Sequence, residues 1–136
     1  MQNETLGRVG TLLRSLEPTL HEGVYVFASQ APTEPVPDVE LVGTFREEEG
    51  LTLILEEPAA LRAGLPILFR AAWISLTVHS ALEAVGLTAA FATALTEHGI
   101  SCNVVAGAFH DHLFVPVDRA EDAMECLRAL QKEAGG

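Results

Sequence analysis

The chain offers one cluster of side chains that could do chemistry. His110-Asp111-His112 places two imidazoles at i and i+2, on one face if the segment is extended. The run Trp73–His79 reads as a strand beside Leu113–Val117, which would bring His79 towards His110 or His112. Three imidazoles beside a carboxylate can hold zinc or a similar metal. The same groups can instead contact a small ligand, or close a polar hairpin tip on itself. Histidine ligands need outer partners that orient them. We therefore read His79, His110 and Asp111 as ligand contacts and assign no catalytic residue, no metal and no cofactor.

A second feature is the segment Ser80–Leu87 (SALEAVGL). Ser80 and Glu83 fit a capping box. Gly86 lies just ahead of Leu87, Phe91, Ala94, Leu95 and His98, which recur at helical spacing. A glycine there lets main-chain N–H groups face outward at a helix start, an arrangement that suits a carboxylate; the plain alternative is a turn residue. Asn103 offers a donor and an acceptor, to a ligand or to water. Glu47–Glu49 could meet a cationic amino group or form a solvated hairpin tip.

Charge narrows the function classes. The 136 residues carry 19 acids against 8 bases, a net charge of −11, and Lys132 is the only lysine. Phosphate neutralisation needs a basic face, so nucleic-acid binding is excluded as an expectation. Anionic lipid is disfavoured for the same reason. An acidic protein can still hold a carboxylate, because distant charge is screened beyond about 8–10 Å. Cys102 and Cys126 are too few and too far apart for a disulfide scaffold. No charge-free run approaches the roughly 20 residues of a spanning helix. No nucleotide-binding glycine pattern and no G-x-S-x-G appears. A cytoplasmic protein is expected.

The elements that must position these residues follow from periodicity. Leu6, Val9, Leu13 and Leu16 predict a helix over 5–16, before Pro18. Val24–Gln30, Leu41–Arg46 and Leu51–Leu55 read as strands, with a proline-rich loop over Ala31–Asp38 and a turn at Gly50. Pro58–Ala63 reads as a short helix stopped by Gly64, and Ile67–Phe69 as a short strand. In Trp73–His79, Ile74, Leu76 and Val78 point one way, and Trp73, Ser75, Thr77 and His79 the other. A helix ending at Gly99, strands at Cys102–Ala108 and Leu113–Val117, a hairpin near Phe109–Asp111 and a helix opened by Asp118 and Glu121 complete the chain. Trp73, opposite the apolar face, is expected in an inter-unit or dimer contact.

The second half is thus β-α-β-β-α, which predicts an α+β, ferredoxin-like fold: an antiparallel sheet with helices on one face. Each half looks one strand short of a full βαββαβ unit. Without a Gly/Ser linker between them, the halves 1–66 and 67–136 are expected to complete each other as one body with shared strands.

The stretches Val85-Gly86-Leu87-Thr88-Ala89-Ala90-Phe91 and His98-Gly99-Ile100-Ser101-Cys102-Asn103-Val104 resemble the ACT-domain pattern. With Phe45–Thr52, Trp73–Ser80 and Ala108–His112, the chain resembles small bacterial proteins with paired ACT-like halves, and also the ACT regulatory domains of aspartate kinases. The resemblance implies two ACT units in tandem that bind a free amino acid without catalysis. It implies side-by-side pairing of sheets or helices in a homodimer. It places Val85, Gly86 and Leu87 in the ligand loop and Asn103 on the facing strand. The alternatives are an interaction module with no small ligand, or a histidine-based metal protein.

Overall fold

The computed structural model describes residues 16–77 and 87–135. The helix expected over 5–16, and the expected contacts His79, Val85 and Gly86, lie outside the described residues. The elements are β1 (Glu17–Leu20), β2 (Tyr25–Gln30), β3 (Gly43–Arg46), β4 (Leu51–Glu56), α1 (Glu57–Arg62), β5 (Ile67–Thr77), α2 (Leu87–Glu97), β6 (Asn103–Ala106), β7 (His110–Pro116) and α3 (Ala120–Gly135), which follows a 3-10 turn over Val117–Arg119. The antiparallel ferredoxin-like α+β class is the one observed. Two compact units emerge: Glu22–Ala72, and Met1–His21 with Trp73–Gly136.

In the Glu22–Ala72 unit the strand order is β3-β4-β2-β5, the last contributing its first half. β2 pairs antiparallel with β4 from Tyr25↔Glu56 to Gln30↔Leu51, and with β5 from Tyr25↔Ala71 to Phe27↔Phe69. The period-2 pattern puts Val26, Ala28, Leu53 and Leu55 on one face, where Ala59 and Ala60 of α1 cover them. Residues 31–42 form no helix. Pro32, Pro35 and Pro37 remove the N–H groups a helix would need, and Val39 and Leu41 pack on the core instead. Gly50 closes the β3–β4 turn, where its carbonyl accepts the Glu47 N–H. A Cβ at Gly50 would lie 2.5 Å from the Gln30 carbonyl oxygen, so glycine is required by close approach.

The other unit uses the second half of β5, with β1 beside it and β7 then β6 on the other side. β1 pairs antiparallel with β5 in the register Glu17↔Thr77 to Leu20↔Ile74. This is the fourth strand that the β-α-β-β-α half lacks in sequence, and it comes from ahead of the other unit. β6 pairs with β7 from Asn103↔Phe114 to Ala106↔Asp111. Ile74, Leu76, Leu113 and Val115 are fully buried, as are Phe91 and Leu95 of α2 and Ala123 and Leu127 of α3. Gly99, at φ +69, ends α2 in the left-handed conformation that glycine adopts freely.

Three expectations change. Ile67–Phe69 and Trp73–His79 are not separate strands: Arg70, Ala71 and Ala72 carry the chain through as the single strand β5. β1 has no counterpart in the sequence reading, because Pro18 argues against a strand; an edge strand tolerates proline. The hairpin bend sits at 107–109 rather than Phe109–Asp111, with Gly107 N–H bonded to the His110 carbonyl. His110, Asp111 and His112 are therefore strand residues and not a hairpin tip.

Candidate functional site

Strand alternation builds the site on the face of the β1-β5-β7-β6 sheet opposite Ile74, Leu76, Leu113 and Val115. β5 contributes Trp73 and Ser75, β7 contributes His110, His112 and Phe114, and His21 follows β1 directly. The His21 ring stacks on Trp73 with centroids 3.6 Å apart and planes 7° from parallel. Phe114 lies stacked from Trp73 at 6.1 Å, and His110 is 6.2 Å from His112.

Hydrogen bonds tie the cluster together. The Trp73 indole N–H donates to His112 Nδ1 at 3.1 Å. Ser75 Oγ is 2.9 Å from the same nitrogen and 2.7 Å from His21 Nε2. An indole nitrogen can only donate, so His112 Nδ1 carries no proton. One assignment satisfies every group: His21 Nε2–H donates to Ser75, and the Ser75 hydroxyl donates to His112. Burial holds both imidazoles below the usual histidine pKa. For His21 the neighbouring His112 adds to the effect; for His112, His110 adds and Asp111 opposes.

This geometry decides what the cluster can do. Ser75 and His112 have the spacing of a nucleophile and its base. Yet His112 shares its one lone pair between two donors and binds protons poorly, so it is a weak base for Ser75. A metal on His112 Nε2 would need the ring proton at Nδ1, where Trp73 already points its own N–H. Among the described residues no group of three or more His, Cys, Asp and Glu could hold a metal ion.

The expected site residues fall as follows. His110 is exposed and Asp111 is buried, on opposite faces of β7. Burial raises the Asp111 carboxyl, partly opposed by His112. Asn103 is exposed at the start of β6, opposite Phe114 and remote along the ladder from the Ala106↔Asp111 pair. Leu87 is the first residue of α2, and its side chain lies outside the described residues. His110 is thus brought to the cluster, and Asn103 stands on the same face beside Phe114, whereas Asp111 is on the other face. Trp73 makes an intra-unit contact through β7 and His21. The sequence reading missed His21 and Ser75; the alternation of Trp73–His79, which does put Ser75 beside Trp73, is the signal available for the latter.

A second polar cluster lies in a cleft of about 430 Å³ lined by His98, Arg119, Asp122, Glu125, Cys126 and Ala129. His98 Nδ1 donates to the Ala94 carbonyl at 2.8 Å, so it meets Cys126 Sγ, 3.5 Å away, as an N–H and not as a base. Burial, with Glu133 and Glu97, raises the Cys126 thiol. Arg119 donates to the Gly99 and His98 carbonyls and to Asp122. These bonds cap α2 and leave no activated nucleophile.

Comparison with known proteins places this geometry. Two different family models, each described as an ACT domain, match the chain, one at residues 8–72 and the other at residues 68–129. The chain belongs to the ACT-domain family. A Vibrio cholerae protein of unknown function, described as a possible transport protein, is 47% identical with a TM-score of 0.83; the match covers 93% of this chain and 98% of that one. An Agobacterium tumefaciens protein is 18% identical with a TM-score of 0.69, over 85% of this ACT protein and 89% of that chain. The regulatory subunit of aspartate kinase from Thermus thermophilus is 10% identical with a TM-score of 0.60, over 85% and 98%. At these last two identities the likeness is one of fold. No curated protein matches. None of the described helices is long and apolar enough to cross a membrane.

Proposed function

We propose that this tandem ACT protein is a non-catalytic regulatory module that binds a free amino acid. The observation that carries the reading is the ordered cluster of His21, Trp73, Ser75 and His112 on the sheet face opposite Ile74 and Leu76. Groups that could stay solvated instead spend their hydrogen bonds on one another, which holds their outer edges in fixed directions. Val85, Gly86 and Leu87, with His79, His110 and Asn103, complete the proposed contacts, and the main-chain amides near Gly86 take the ligand carboxylate. Absence of catalysis is supported by the weak Ser75–His112 pair and the raised Cys126 thiol. The likeness to an aspartate kinase regulatory subunit supports regulation. A homodimer in the cytoplasm belongs to the same proposal.

A thermal-shift screen over the proteinogenic amino acids tests it. A ligand at 100 times its Kd stabilises by about 2.7 kcal/mol, a rise of several degrees for a chain of this size. One amino acid, or a few related ones, should produce that rise. No rise with any of them overturns the reading and leaves an interaction module.

A further inference from the structure

The Trp73 indole and the Ser75 hydroxyl both address His112 Nδ1, which fixes more than the orientation of the ring. A neutral imidazole whose Nδ1 accepts must carry its proton on Nε2. That nitrogen makes no hydrogen bond among the described residues, and no buried side-chain nitrogen or oxygen among them lacks a partner. His112 Nε2 is therefore an oriented donor that is not fully buried and has no partner among the described residues. Gly107 faces it: a Cβ there would stand 3.2 Å from Nε2 and 2.9 Å from the His110 carbonyl oxygen. The missing side chain keeps the approach to Nε2 clear. His110 flanks the same edge, exposed, with its ring 6.2 Å from that of His112.

We infer that the Nε2–H edge of His112, with His110 beside it and Gly107 opposite, is a subsite for an anionic oxygen, namely a carboxylate of the ligand. The inference rests on the amino-acid reading above. Nε2 itself presents a proton and no lone pair, so that atom receives an anionic oxygen and not an ammonium group or a metal ion. Selectivity comes from the tautomer, which Trp73 and Ser75 impose from behind the ring.

Nitrogen-15 NMR of the histidine rings in the full chain tests this, with acetate as the probe and methylammonium at equal ionic strength as the control. His112 should be the Nε2–H tautomer at pH 8. Acetate should shift its Nε2 signal saturably, and methylammonium should not. A hydrogen bond to a charged acceptor is lost in His112→Phe, which should weaken acetate binding about tenfold or more. Gly107→Ala should weaken it by crowding Nε2, and His112→Phe keeps the test open if that variant misfolds. An Nδ1–H tautomer, or an Nε2 signal indifferent to acetate, overturns the inference. If the thermal screen finds an amino acid while His112 stays silent, this subsite alone fails. If acetate shifts His112 and no amino acid stabilises the protein, the subsite stands and the amino-acid reading fails.

Discussion

Ser75→Ala removes the one atom that joins both imidazoles, and its cost can be worked from the contacts. Ser75 Oγ bonds His21 Nε2 at 2.7 Å and His112 Nδ1 at 2.9 Å. A typical intramolecular hydrogen bond contributes about 0.5–1.5 kcal/mol net, so two give about 1–3 kcal/mol. Trp73 still donates to His112 in the variant, so that acceptor is not orphaned. The site is also partly solvated, which lets water replace the bond to His21. These two facts pull the expected loss to about 1–2 kcal/mol. With a urea m-value of roughly 1–3 kcal/mol/M, the midpoint should fall by about 1 M at unchanged slope. A double-mutant cycle with His112→Phe isolates the Ser75–His112 bond and should return a coupling of about 0.5 kcal/mol or more. A single-variant loss under about 0.5 kcal/mol, together with additive behaviour in the cycle, would refute the relay, because contacting groups that share a proton cannot be independent.

Two further outcomes are expected. Burial holds His21 and His112 below the usual histidine value of 6.5, so the unfolded chain binds more protons than the folded one. Their contribution to stability is complete above pH 6.5 and is lost as the pH falls through their folded values. Asp111, raised from 3.8, works in the opposite sense from that pH upward. Urea midpoints should drop from pH 8 to pH 5, and His112→Phe should flatten the drop; a midpoint that rises on acidification contradicts the assignment. In the other unit, Gly50→Ala sets a Cβ 2.5 Å from the Gln30 carbonyl oxygen, a main-chain clash that β2 or the hairpin must move to relieve. Overpacking of this kind costs about 1–3 kcal/mol, and an unchanged melting temperature would show that the hairpin shifts freely.

Much of the fold is legible because each element depends on local pattern. Ile74 and Leu76 alternate with Trp73 and Ser75, and buried and half-buried positions follow that alternation. Gly64 and Gly99 stop their helices at positive φ, as glycines after an apolar stripe should. What is not legible depends on pairing across long sequence separations. Glu17–Leu20 carries a proline and little apolar character, and becomes a strand only because β5 offers it an open edge. The break read between Phe69 and Trp73 disappears because Ala71 and Ala72 are buried, where small residues suit a continuous strand. In the site, Trp73 and His112 could be singled out from type and spacing. His21 could not: nothing near it in sequence indicates a stacked tryptophan 52 positions away.

The interleaving of the chain explains why the cluster exists at all. The ACT unit that holds it is discontinuous, entering as β1 and resuming at Trp73 after the intervening residues 22–72. His21 is the last residue before that interruption and Trp73 the first after it, and the His21 N–H bonds the Trp73 carbonyl at 2.9 Å. The stacked pair therefore marks the point where the unit is stitched together. A ferredoxin-like unit written as one uninterrupted βαββαβ segment would draw its fourth strand from beyond the last helix, and no residue at position 21 would reach Trp73. Here the strand that completes the sheet also delivers an imidazole to Ser75, and through Ser75 helps set the proton on His112. Completion of the fold and orientation of the His112 ring are in this chain the same structural event.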